Sequence, residues 1–281
     1  MTTLRETPPQ RLRPLVPVRA RAALTLAACS LMGLVAFGWP FFVTPGPALD
    51  TSHAADAPWL FALLLPLLAA VVVAELTSGG MDAKAVALLG VLAAVGAALR
   101  ALGPGTAGIE PTFLVIVLGG RVFGRGFGFV LGAVTIFAGA LVTGGVGPWL
   151  PFQMFAAGWV GFFAGALPQV RGRTEVWTVA VYGLVAGVAY GALMNLWFWP
   201  FAAYGPEVSY APGDSLAANA HRYGVFYLTT SLGYDVPRGV FTMLLVLLLG
   251  PAVLAALRRA ARRAAFDATP TFVPPPEQPW R

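Results

Sequence analysis

The chain has 281 residues, of which 58% are hydrophobic and 11% charged, and it carries a net charge of +6. Soluble domains hold roughly 25% charged residues, so a water-soluble fold of this size could not clothe its surface, and the composition demands a lipid surround. Lys84 is the only lysine, and the arginines flank apolar segments instead of forming a nucleic-acid patch, a distribution that reports membrane topology.

A helix needs about 20 residues to cross a hydrocarbon core of about 30 Å. In chain order, residues 1–21 read as a basic tail, followed by two additional N-terminal spans within 22–81, at 22–43 and 59–76. Cys29 falls inside the first span, where a small buried hydrophobe is expected. That span is longer than a signal core of about 7–15 residues, so it reads as retained. Six further spans follow within a core of 82–258, at 84–102, 110–120, 126–143, 150–167, 176–199 and 236–257. The fourth span overall (110–120) is short, so it must be tilted, shielded by protein, or extended through a turn at Gly119-Gly120. Residues 259–281 form a basic, proline-rich tail with too little apolar content to offset ordering entropy.

With eight alternating spans, the arginines before residue 22, Lys84, Arg121, Arg125, Arg171, Arg173 and Arg258–Arg263 all fall on one side. Only Arg100, Arg222 and Arg238 fall on the other. The positive-inside rule then places both termini in the cytoplasm of a multi-pass protein of the cell membrane.

Small residues recur at four-residue spacing, as in Ala157, Gly161 and Gly165, and again in Gly183, Gly187 and Gly191. Such stripes let helix backbones approach closely, within the bundle or against another membrane protein. The stripe Gly90, Ala94 and Ala98, with Ala93 and Ala97 alongside, is the best candidate for docking.

Span centres lack acidic residues and histidines, unlike ion-coupled carriers. The chain has no phosphate-binding loop ending in Lys-Ser or Lys-Thr, so any uphill transport draws its energy from a partner. Polar and aromatic residues concentrate at the arginine-poor end, around Trp149 and Gln153, Asn195 to Trp199, and the long connection 200–235. Aromatic faces with a few hydrogen-bonding groups suit a flat organic ligand. Long connections of this kind often act as lids. Only His53 could join His221 in holding a metal, without ligand spacing, so no metal site is expected. No nucleophile–base arrangement suggests an enzyme.

From residue 82 onward, "DAKAVALLGVLAAVGAALRALG" and "GIEPTFLVIVLGGRVFGRGFGFVLGAVTIFAGALVTGGVGPWLPFQMFAAGWVGFFAGALP" resemble the substrate-binding S components of energy-coupling-factor vitamin transporters. The resemblance implies an all-α, six-helix core preceded here by two extra helices. It implies capture of a vitamin from outside the cell, with no bound cofactor. It further implies docking through Gly90, Ala93, Ala94, Ala97 and Ala98 onto a transmembrane coupling (T) component driven by two cytoplasmic ATPases. The outer segments and extra helices look most similar to members assigned to cobalamin or its precursors, with riboflavin, thiamine or its pyrimidine, and queuosine-type precursors as open alternatives. Trp149, Gln153, Asn195, Trp199, Tyr234 and Arg238 are the expected ligand contacts. A stand-alone secondary transporter and a membrane scaffold without a ligand are the competing readings.

Overall fold

Within hydrocarbon no water can bond a free peptide group, so helices, which satisfy their own backbone, are the available open-ended solution. The computed structural model describes residues 20–38, 41, 69–70, 73, 81, 83–103, 106–202 and 204–264, and every regular element among them is helical. The chain is an all-α membrane protein. Its helices are α1 (Ala20–Gly38), α2 (Ala83–Leu102), α3 (Thr112–Phe123), α4 (Arg125–Thr143), α5 (Leu150–Ala166), α6 (Gly172–Phe198), α7 (Leu216–Phe226) and α8 (Leu232–Ala264). The expected span at 59–76 lies outside the described residues, apart from Ala69, Ala70 and Val73. The last helix runs through Arg258 and Arg259 to Ala264, so a tail beginning at 259 is cut too early.

The short helix is shielded by protein. At 12 residues and 1.5 Å per residue, α3 is only about 18 Å long. All of it except Val115 is buried, so it meets no lipid core whose thickness it must match. Gly119 and Gly120 form no turn; they lie inside the helix. The corner is Gly124, at φ 103°, which reverses the chain between α3 and α4.

Glycine sets the spacing of the bundle. On α5, a Cβ at Gly161 would strike the carbonyl of Gly128, and one at Gly165 would meet the backbone of Gly124 and Arg125. In the reverse direction, Gly120 and Gly128 abut the Gly161 carbonyl, and Gly132 abuts that of Ala157. The second stripe works alike: Gly183, Gly187 and Gly191 of α6 face Thr242, Gly239 and Asp235 of α8. Both stripes are thus internal seams, held by close packing because lipid supplies no hydrophobic drive between helices.

The third stripe divides. Ala93 and Ala97 are buried against the bundle and offer nothing to a partner, which corrects their assignment to docking. Gly90, Ala94 and Ala98 are exposed, and a Cβ at Gly90 would meet nothing within 4 Å.

α1 lies against α5 and α6. Its Ser30 hydroxyl accepts a 3.0 Å hydrogen bond from Trp159 Nε1, and Phe37 packs edge-on to Phe152 at 5.1 Å. Cys29 is buried on this face, as expected of a small apolar residue.

The charged residues separate to opposite ends. At one, Arg121 Nε donates to Glu175 Oε1 at 2.7 Å, and its other nitrogens donate to the carbonyls of Leu167 and Val170. Arg258 reaches the same Glu175 oxygen at 2.6 Å, tying α3, α6 and α8 together. At the other end lie Arg100, Arg222 and Arg238, each bonded to a polar or acidic side chain.

Gly161→Val should strip the protein of its fold, since the opposing atom is backbone and cannot yield; overpacking alone costs about 1–3 kcal/mol. Gly90→Ala should be tolerated. Thermal unfolding in detergent followed by size-exclusion fluorescence measures both, and an unshifted Gly161→Val would refute the seam.

Candidate functional site

The arginine-poor end contains a cavity of about 440 Å³. Its rim is aromatic: Trp149, Phe198 and Tyr234 are exposed, and Trp149 sits edge-on to Trp197 at 6.3 Å. Its depth is polar. There the cavity meets Gln153, Asn195, Asp235 and Arg238, with Thr230 and Ser231 at one side.

Asp235 is 3% exposed, and it fits because α6 has no side chain at Gly191, where a Cβ would overlap the carboxyl group. Arg238 Nη1 donates to Asp235 Oδ1, one helical turn away. Arg238 Nε lies 3.4 Å from Glu110 Oε1, and the guanidinium stands 5.4 Å over the ring of Tyr190. Glu110 reaches it because the 106–111 segment presses onto the start of α8. Gly108, at φ 79°, is in left-handed backbone, and a Cβ there would meet the Tyr234 carbonyl and the Arg238 nitrogen. Conformation and space both select glycine at that position.

Arg100 Nη2 donates to Gln153 Oε1 at 2.9 Å. Guanidinium has no acceptor, so this bond fixes the amide orientation and leaves the Gln153 nitrogen, with its two donors, for the cavity.

Beside the cavity, to whose lining it contributes Thr230 and Ser231, the connection from Trp199 to Ser231 packs into a lid on this end of the bundle. Trp199 is fully buried in it; its Nε1 donates to the Val208 carbonyl at 2.6 Å, and Tyr210 and Tyr223 pack edge-on at 5.4 and 5.3 Å. The Asn219 amide pairs with both backbone groups of Ala211, at 2.9 and 3.1 Å. α7 itself begins at a Ser215 cap, whose hydroxyl accepts from the Ala218 N–H at 3.2 Å. The Tyr223 hydroxyl donates to the Ala192 carbonyl and fastens the lid to α6. Between α7 and α8 the helix widens into a π-turn at Tyr227–Ser231 beside the cavity, a feature frequent at functional sites.

The Arg222 hydrogen bond, and then the Ser215 N–H, hold the exposed Asp214 carboxyl below the usual carboxylate range. Its folded-state pKa is depressed, so this contribution is complete above the unfolded value of about 3.9 and fades only as pH falls below it. The lid clasp is therefore insensitive to pH across the neutral range.

Five of the six expected ligand contacts, Trp149, Gln153, Asn195, Tyr234 and Arg238, line one cavity. Trp199 lies elsewhere, as the core of the lid. Asp235, which the sequence places among the polar residues of a pocket at this end without making it an expected contact, lines the same cavity. So do Thr230 and Ser231, which the sequence does not single out; sequence reasoning also left α7 within a loop. The Asp214-Ser215 cap ahead of a helix-forming run was the available signal for α7.

The family of ECF transporter substrate-specific components matches residues 84–250, more than half of the chain. The chain belongs to this family. Comparison with curated proteins and with solved structures gives no match. The S component is thus a substrate-specific membrane subunit of a transporter; the matched region begins at α2 and ends inside α8, leaving α1 outside it.

Trp199→Ala should loosen the lid, with a local cost of about 3–5 kcal/mol for an aromatic truncated in a packed core. Hydrogen exchange should quicken across 204–226 and stay slow in α4 and α5; uniform quickening would contradict a separable lid.

Proposed function

We propose that this S component captures a vitamin-sized organic molecule from outside the cell for ATP-driven uptake. The observation that carries the reading is the cavity itself, polar in depth and aromatic at the rim, at the end opposite Arg121, Arg125, Arg171, Arg173 and Arg258. Under the positive-inside rule that end faces outward, with the chain termini in the cytoplasm.

The partners implied by the family are a T component and two ATPases. The exposed face of α2, carrying Gly90, Ala94 and Ala98, is the surface assigned to the T component, because small residues let a partner helix come close. A stand-alone ion-coupled carrier is disfavoured by the charge pattern: between the Arg121–Glu175–Arg258 cluster and the cavity, no described helix carries Asp, Glu, His, Lys or Arg.

Cobalamin or a precursor rests on similarity of the outer segments alone. About 440 Å³ lies near the lower end of the usual range of about 300–1,000 Å³ for ligand pockets. A vitamin of a few rings suits a cavity of this volume, whereas a corrinoid exceeds it.

Mass spectrometry of small molecules released by denaturing the detergent-purified chain tests the reading. A stoichiometric vitamin is the expected result; an empty chain that also ignores a vitamin panel in calorimetry would overturn it. Ala94→Leu should abolish co-purification with the T component and leave ligand affinity unchanged, and retained assembly would remove α2 as the docking face. Trp149→Ala with Asn195→Ala should weaken binding at least roughly tenfold, the scale of losing a stacked aromatic and a hydrogen bond.

A further inference from the structure

Asp235 is the buried acid that touches the cavity, and its two oxygens differ. Oδ1 accepts from Arg238, while Oδ2, buried as well, has no hydrogen-bond partner. The Tyr227 hydroxyl faces this carboxyl group from the lid side and also reaches the Val188 carbonyl at 3.4 Å. A desolvated carboxylate oxygen without a donor is unfavourable, and a ligand that brings a donor relieves it.

The cations of this end are charge-compensated. Arg238 lies between two carboxylates, Asp235 and Glu110, although its buried Nε makes no hydrogen bond, and Arg100 is turned to the Gln153 oxygen. An anionic ligand at Arg238 would itself lie beside both acids, whereas a neutral acceptor could take the free Nε–H. Beside this acceptor, the Gln153 nitrogen supplies donors, and the Asn195 amide supplies a donor and an acceptor.

We infer that the cavity selects an uncharged or cationic flat nitrogen heterocycle that gives an N–H to Asp235 Oδ2 and presents an acceptor to Gln153 or Asn195. Carboxylated and phosphorylated forms of the same ring system are disfavoured by the Asp235 charge. The inference rests on the reading of this cavity as the capture site. Gly191 becomes a specificity residue at one remove, because its missing side chain is what admits the carboxyl group into the cavity.

Calorimetry on the full chain in detergent, with matched probes, tests the inference. The pairs are nicotinamide with nicotinate, riboflavin with flavin mononucleotide, and thiamine with thiamine monophosphate. For any pair that binds, the form without the acidic group should bind roughly ten- to a hundredfold tighter, the range for a charge-assisted hydrogen bond. Asp235→Asn should erase that preference, whereas a purely structural role would weaken both members equally. An acidic member that binds as well as its partner overturns the substrate class and leaves capture standing. An unchanged preference in Asp235→Asn overturns the role of the carboxylate, and the wild-type comparison holds even if that variant fails to fold. If no pair binds, the molecule released on denaturation decides: one bearing an N–H donor and no acidic group supports the inference, and an acid overturns it. No binding and no released molecule would overturn capture itself.

Discussion

The bundle depends on backbone meeting backbone across α3, α4 and α5. Gly120, Gly128 and Gly161 stack so closely that any side chain would collide with a carbonyl. In water such a seam would be a poor investment, since larger apolar side chains bury more surface. In lipid the exterior is as apolar as the interior, and close approach maximises dispersion contacts instead. The seam also explains how a helix as short as α3 survives: neighbours enclose it and spare it any match to the bilayer.

The same device makes the site. The α6 seam that joins Gly183 and Gly187 to α8 ends at Gly191, where the space opposite is filled by the Asp235 carboxyl group. A packing motif thus becomes a polar feature within one further helical turn. Gly108 repeats the logic on the other flank by letting the 106–111 segment bring Glu110 to Arg238. The buried charges are therefore held by glycines as much as by one another, which matters because a buried ion pair brings little net stability after desolvation.

At the opposite end the Arg121–Glu175–Arg258 cluster has a different task. Arg121 is buried, and its remaining donors satisfy the carbonyls of Leu167 and Val170 in the turn between α5 and α6. One guanidinium thus closes a helix end that would otherwise leave buried acceptors unpaired. The two charged ends leave an apolar middle, which suits a subunit whose transport energy comes from a partner.

Much of this was written in the sequence. Apolar run lengths located the described spans, the arginine asymmetry retained the short one, and polar residues at one end located the cavity through Trp149, Gln153, Asn195, Tyr234 and Arg238. These are local or one-dimensional signals: hydropathy, charge and helical spacing. What needed the tertiary structure were facts of contact. The direction in which Ala93 and Ala97 face, the burial of Trp199 inside the lid, and the unpartnered oxygen of Asp235 all depend on which helix lies opposite. A small residue reads the same whether it faces lipid, a partner or a neighbouring helix, because its sequence spacing fixes only that it shares a face. What lies across that face is decided by packing between segments far apart in the chain, so composition and spacing determined the membrane fold and the end that holds the cavity, while the packed bundle determined the chemistry of that cavity.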